Sequence, residues 1–284
     1  MKTHTFSIVV GNAACNANCP FCVSKMTQME ASKCVKFSGN RFHTCCRIVE
    51  QMRDGLLTVL LTGKGEPMLH PQQITQYLDC INHRFPLIEL QTNGTLIKKN
   101  VADLQRWRSR GLTLVCISIA SESIANNRLM GIKDDSYDFW EATKILQDIG
   151  LNVRLNCTMT KAGIFRPEDC DRLIDRAFKA QIDQITFREV TKPVTSLNQK
   201  VSKWIEEYQV PGAAARLSNY LLMQGATRLL ELPHGGIVYD YHGQNVAISN
   251  CLTGTTDPND IRQIIFFPDG RVAYDWRYKG ARLI

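Results

Sequence analysis

Six short runs rich in β-branched and apolar residues, set apart by amphipathic stretches, restrict this chain to an alternating strand and helix fold. Thr5–Val10, Leu57–Thr62, Leu87–Gln91, Leu112–Ile119, Asn152–Thr160 and Gln181–Arg188 are predicted as strands. Arg41–Asp54, Pro71–His83, Lys99–Arg110, Tyr137–Ile149 and Pro167–Lys179 are predicted as the helices between them. Phe139, Ala142, Leu146 and Ile149 recur along one helical face, as do Leu173 and Ala177. Pro71 and Pro167 suit a first helical turn, where a missing N–H costs little, and Gly111 and Gly150 suit helix stops. Crossovers of this kind require a parallel sheet. Right-handed ones curl it into a partial (β/α)6 barrel, an α/β fold whose chemistry belongs at the C-terminal strand ends.

The loop after the first strand carries Cys15, Cys19 and Cys22 in the run Gly-Asn-Ala-Ala-Cys-Asn-Ala-Asn-Cys-Pro-Phe-Cys. The intervening Asn, Ala and Pro favour a tight loop, so three soft thiolate ligands converge, a set suited to an iron–sulfur cluster. A structural zinc site wants four protein ligands, usually as two separated pairs, and the sequence has no second CxxC or HxxxH pair. A cube held by three thiolates keeps one iron open. That suits direct binding of a substrate or cofactor better than passive electron transfer.

The C-x3-C-x2-C loop resembles that of the radical S-adenosylmethionine (SAM) superfamily, and the later strand ends continue the likeness. The second strand runs into Leu61-Thr62-Gly63-Lys64-Gly65-Glu66-Pro67, similar to the superfamily's Gly-Gly-Glu-Pro segment with Lys64 in place of its first glycine. The third ends in Gln91-Thr92-Asn93-Gly94, similar to the Thr-Asn-Gly of the cyclic pyranopterin synthase branch and of SPASM-containing enzymes. The resemblance implies a [4Fe-4S] cluster on Cys15, Cys19 and Cys22 whose open iron chelates SAM. One electron then splits SAM into methionine and a 5′-deoxyadenosyl radical. It also implies SAM contacts from Gly63, Gly65, Glu66, Thr92, Asn93, Ser118, Arg154, Asn156 and Glu189, with Arg154 pairing the methionine carboxylate. A small-molecule substrate and an electron donor such as flavodoxin or ferredoxin complete the implied partners. Taken singly these residues have plainer explanations: turns at Gly63–Pro67 and Asn93-Gly94, a buried hydroxyl at Ser118, and ion pairs with neighbours for Arg154 and Glu189.

After Arg188 the rhythm stops, which divides the chain into a core over residues 1–190 and an extension over 191–284. Thr191–Gln199 reads as a linker and Val201–Met223 as a helical pair broken at Pro211-Gly212. Two hairpins follow, Ile237–Tyr241 with Asn245–Ser249 about His242-Gly243, and Ile261–Phe267 with Arg271–Trp276 about Pro268-Asp269-Gly270. The second resembles the hairpin opening a SPASM or twitch extension, yet only Cys251 stands near it. The extension is therefore expected to cover the active site without an auxiliary cluster, which favours chemistry needing a single cluster. Tyr274–Lys279 mixes aromatic and basic groups suited to a base, sugar or phosphate. His234 and His242 are expected to be solvated loop residues.

Eleven cysteines without a secretory signal imply reduced thiols in a cytoplasmic protein. Cys80, Cys116, Cys157 and Cys170 are expected to pack as small hydrophobes. So are Cys45 and Cys46 beside Cys34 and His43, because adjacent helical side chains point about 100° apart and serve one ion poorly. No run of about 18 apolar residues could span a bilayer. A net charge of +7 spread along 284 residues suits an anionic substrate without calling for a nucleic acid. The expected activity is hydrogen abstraction from a small polar or phosphorylated metabolite, such as a nucleotide or sugar derivative. A peptide-modifying enzyme is the alternative, weakened by a first strand that leaves no room for a leader-binding domain and by the missing auxiliary cysteines. A non-catalytic metal-binding sensor would bind metal, leave SAM intact and show salt-dependent nucleic-acid affinity.

Overall fold

Strands β1 (Thr3–Val9), β2 (Arg53–Thr62), β3 (Leu87–Thr92), β4 (Leu114–Ile119), β5 (Asn152–Met159) and β6 (Gln184–Glu189) pair in sequence order, each parallel to the next. The computed structural model describes every residue except 1, 28, 29, 31–36, 82, 124, 194, 195, 253–256, 258 and 259, and the side chain of Asp54 is left undescribed. Helices α1 (Gly39–Met52), α2 (Pro71–Ile81), α3 (Val101–Ser109), α5 (Phe139–Ile149) and α6 (Pro167–Lys179) make the crossovers, and a short α4 (Ala125–Met130) sits beyond β4. The sheet is not closed. It is the partial barrel expected of the βα alternation.

Each strand sends alternate residues to opposite faces. In β5, Val153, Leu155, Cys157 and Met159 are buried toward the helices, whereas Arg154, Asn156 and Thr158 stand part-exposed on the other face. The outer layer is a dry core in which Phe42 meets Phe266 at 4.9 Å and Tyr77 at 5.1 Å. Cys45, Cys46, Cys116, Cys157 and Cys170 are buried as apolar groups, and Cys34 lies outside the described residues. Burial of that apolar area is the main term holding helices to sheet.

The extension comprises α7 (Gln199–Tyr208), α8 (Ala213–Met223), β7 (Thr227–Glu231), β8 (Ile237–Tyr241), β9 (Gln244–Asn250), β10 (Ile264–Phe266) and β11 (Val272–Ala273). Its hairpins join the barrel sheet at both edges. β9 lies parallel to β6 with Arg188 opposite Ser249, and β10 lies parallel to β1 with Phe6 opposite Ile264. The result is one eleven-stranded sheet in the order β11-β10-β1-β2-β3-β4-β5-β6-β9-β8-β7. The unpaired N–H and C=O groups of β1 and β6 are thereby satisfied within the chain.

Sequence pattern missed α4 and β7. Two asparagines give α4 weak helical propensity, and all five residues of β7 are exposed, so no buried face imposes an alternation. The last strand is two residues long, shorter than Arg271–Trp276, because the Asp275 carboxylate bonds the backbone amide and guanidinium of Arg277 and turns the chain.

Candidate active site at the barrel mouth

The cysteine loop leaves β1 between two fixed points. Gly11 donates its amide to Gln73 Oε1 at 2.5 Å, and Glu66 donates its amide to Ala14 O at 2.9 Å. Gly65 packs so tightly beneath the loop that a Cβ there would stand 2.0 Å from Ala14 O. On the far side Asn18 donates its amide to Met130 O at 3.0 Å, so the unpredicted α4 anchors the loop. Asn126 Oδ1 in turn accepts from Ala120 N at 2.7 Å and fixes α4 to the end of β4.

Burial, then the nearby Cys22 and Cys15 thiols, push Cys19 up to about 12, and burial raises Cys15 as well. Cys19 is thus close enough to both neighbours for their charge to oppose its ionisation, and a cationic metal group reverses that opposition. Among the described residues no three Cys, His, Asp or Glu side chains converge on a point that would chelate one ion.

Behind the loop, β2 and β3 are tied together by Glu66. Its buried carboxylate accepts from Met68 N at 2.9 Å, Thr92 Oγ1 at 2.7 Å and Asn93 N at 2.8 Å. Asn93 Nδ2 donates to Asn16 Oδ1 at 2.8 Å and lies 3.9 Å from Cys15 Sγ, so the network ends at the cysteine loop itself. Gly94 follows with φ +82°, and a Cβ there would stand 2.1 Å from the Tyr137 hydroxyl, which donates to Asn93 O at 3.0 Å. Only glycine fits both constraints.

A cavity of about 790 Å³ opens beside the loop, within the size range of small-molecule sites. Cys19 and Cys22 line it together with Gly63, Lys64, Gln91, Ser118, Asn156 and Arg188 from the strand ends. The extension contributes Cys251, Arg262, Trp276 and Arg277. Burial draws Lys64 down to about 8, partly offset by Cys22, and its Nζ donates to Thr27 Oγ1 at 2.5 Å and lies 5.8 Å from the Trp276 ring. Asn156 Oδ1 and Arg188 Nε are buried with no hydrogen-bond partner among the described residues.

The expected SAM contacts therefore fall into three groups. Gly63, Ser118 and Asn156 face the cavity. Gly65, Glu66, Thr92 and Asn93 brace the cysteine loop, and the side-chain oxygens of Glu66 are occupied by protein donors. Arg154 lies deeper in the barrel in an ion pair with the buried Glu89, and its Nη1 donates to Gln184 Oε1 at 3.3 Å. Glu189 accepts from Gly212 N and Ala214 N at 2.9 Å each, capping α8. Arg262 and the α4 asparagines were not anticipated. Only topology brings Arg262 to β1, and Asn126-Asn127 beyond a strand was the one available hint of a capped turn.

The family model of the radical SAM superfamily matches residues 9–177, from the end of β1 into α6. The chain belongs to the radical SAM superfamily. Among solved structures, Streptococcus suis SuiB bound to S-adenosylmethionine is similar to this radical SAM chain with TM-score 0.62 at 14% identity, covering 98% of this chain and 61% of that one. The structure of anSMEcpe with bound AdoMet has TM-score 0.62 at 15% identity, covering 98% and 76%. At such identities the likeness is one of fold. The uncharacterized protein MJ0804 of Methanocaldococcus jannaschii is 27% identical over 120 residues, 42% of this chain and 36% of that protein. This radical SAM chain thus spans less than two thirds of the length of MJ0804 or SuiB.

Membership implies a [4Fe-4S] cluster and SAM, and the residues present fit both. The loop thiols offer the soft donors, with Cys19 and Cys22 on the cavity wall, and the unpartnered Asn156 Oδ1 in the same cavity offers an acceptor for an amine or hydroxyl. Among the described residues no helix is long and apolar enough to cross a membrane.

Proposed function

We propose that this protein is a radical SAM enzyme that cleaves SAM reductively and abstracts hydrogen from a small polar or phosphorylated metabolite, a nucleotide or sugar derivative. The observation that carries this reading is that Cys19 and Cys22 open onto the same cavity as Ser118, Asn156 and Arg188. When bound, the cluster and SAM supply a one-electron cleavage of the sulfonium C–S bond, giving methionine and a 5′-deoxyadenosyl radical that becomes 5′-deoxyadenosine on taking a hydrogen atom. The electron comes from an external one-electron donor of the flavodoxin or ferredoxin class.

The protein's part is placement. Cys15, Cys19 and Cys22 hold the cluster on a loop fixed by the Glu66, Thr92 and Asn93 network. Gly63, Ser118 and Asn156 are assigned to SAM, because they are the expected contacts that face the cavity. Phe21, Leu252 and Trp276 supply apolar wall, which keeps a reactive radical from bulk water.

Protein reconstituted anaerobically with iron and sulfide, then given SAM and dithionite, is expected to release 5′-deoxyadenosine and methionine. Cys19→Ala is expected to lose iron and product together. Full iron content in the unaltered protein with no 5′-deoxyadenosine formed would defeat the reading and leave a metal-binding protein of another kind.

A further inference from the structure

The cavity is unevenly charged. Lys64, Arg188, Arg262 and Arg277 line it as cations, against the carboxylates of Asp260 and Asp275. Asp275 is engaged by Arg277 at 2.6 Å, and Asp260 by His4 at 3.5 Å and by the Lys2 amide at 3.2 Å. Arg188 stands at the C-terminal end of β6 and Arg262 just ahead of β10, so the two guanidinium groups reach one cavity from opposite edges of the six-strand barrel.

They are close enough to repel. Burial and then Arg188 draw Arg262 down to about 10. His234, half-buried in the turn between β7 and β8, is drawn down to about 3 by burial and then by Arg262, Arg188 and His4. Arg262 Nη1 donates to Thr5 Oγ1 at 2.8 Å, while Arg188 Nε is buried with no partner among the described residues. Holding like charges together away from bulk water is costly, and an anion between them removes that cost. Guanidinium forks match the oxygens of phosphate or carboxylate, but two of them together balance a dianion.

We propose that Arg188 and Arg262 bracket the phosphoryl group of the substrate, so that the molecule acted on is a phosphate monoester. This rests on the radical SAM reading and deepens it. Arg188 neighbours Cys251, whereas Lys64, on the loop after β2, neighbours Cys22. A molecule anchored by its phosphate at the arginines therefore extends along the cavity toward the cysteine loop, with the Trp276 ring as an apolar wall. One methionine carboxylate, a single negative charge, leaves such a pair half balanced.

The test is calorimetric titration of the cluster-loaded protein with inorganic phosphate, malonate and SAM, each alone. Phosphate is expected to bind, and Arg188→Met and Arg262→Met each to weaken it by roughly tenfold or more, as loss of a charge-assisted bidentate contact implies. Their SAM affinity is expected to change by less than about twofold, as for a side chain outside the SAM contacts. Arg188→Lys keeps the charge and the fold but loses the fork, so it should fall between. Arg172→Met, exposed on α6, controls for net charge. The proposal is overturned if phosphate does not bind, if malonate binds as tightly as phosphate, or if the arginine variants lose SAM as severely as phosphate. Formation of 5′-deoxyadenosine without phosphate binding would sink the proposal and spare the radical SAM reading. Phosphate binding through both arginines without 5′-deoxyadenosine would sink that reading instead.

Discussion

Around the cysteine loop, Glu66, Thr92 and Asn93 spend their polar atoms on one another, on the loop and on the turn that follows. Across the sheet, at β5 and β6, Asn156 Oδ1, Thr186 Oγ1 and Arg188 Nε are buried with no hydrogen-bond partner among the described residues. Buried polar groups are normally paired, since an unmet one costs about 1–3 kcal/mol. His70 Nε2, against Gly11, and Asn126 Nδ2 on α4 are unmet as well, so the contrast is a narrower one: Glu66, Thr92 and Asn93 spend their polar atoms within the protein, whereas Asn156 and Arg188 carry unmet atoms and line the cavity.

Arg154 joins the two sides and gives the largest test of that contrast. It stands on β5 and pairs with Glu89 on β3, whose carboxylate also accepts from Gln91 Nε2 at 2.9 Å. Arg154→Met is expected to destabilise the protein by about 3–5 kcal/mol, because it strands a buried carboxylate. The double variant Arg154→Met with Glu89→Leu should recover most of that loss. Urea unfolding under anaerobic conditions reads both. A single-variant cost near zero would mean that the floor of the barrel is wet enough to hold Glu89 unaided, and that the two sides are not braced together.

Gly65→Ala probes the preassembled side. The new Cβ would stand 2.0 Å from Ala14 O and 2.7 Å from Ala14 C, both backbone atoms of the cysteine loop, so the loop must move. A cost of about 1–3 kcal/mol is expected, as for overpacking elsewhere, with a fall in iron retained after reconstitution. Gly63→Ala, whose nearest atom would be 3.1 Å away, should do less. Equal iron content in both variants would show the loop to be plastic and erase the contrast with β5 and β6.

Much of this was legible in sequence because the periodicities are local. Ala142 and Leu146, or Val153 and Leu155, declare a buried face within a few residues. The cysteine loop and the Gly63–Pro67 segment were legible because their spacing is chemistry as much as structure. Division of labour among the site residues was not. Glu66 and Glu189 are both acids at strand ends, yet one ties β2 to β3 and the other caps α8, and only the folded positions of Thr92, Asn93, Gly212 and Ala214 decide that. Arg262 was invisible for the same reason, since it reaches Thr5 across a separation of 257 residues when β10 pairs with β1.

His234 gives the smallest effect and tests the β6 side directly. Its ordinary value near 6.5 falls to about 3 in the folded protein, through burial and then the neighbouring Arg262, Arg188 and His4. Between those values the unfolded chain holds the proton and the folded one does not, so stability rises with pH in that window. The contribution is complete above pH 6.5 and is lost as pH falls toward 3. His234→Gln should flatten the dependence of unfolding free energy on pH between about 7 and 5, modestly, because the ring is partly exposed and solvent screens its repulsions. Sulfate, a dianion throughout this range, should partly flatten it too in the unaltered protein, relative to chloride of equal ionic strength, because between Arg188 and Arg262 it offsets their repulsion of the imidazolium while the effect of burial remains. If the slope is the same in both salts, the arginines do not bracket an anion next to His234, and the β6 side of the mouth loses its claim to be built for one.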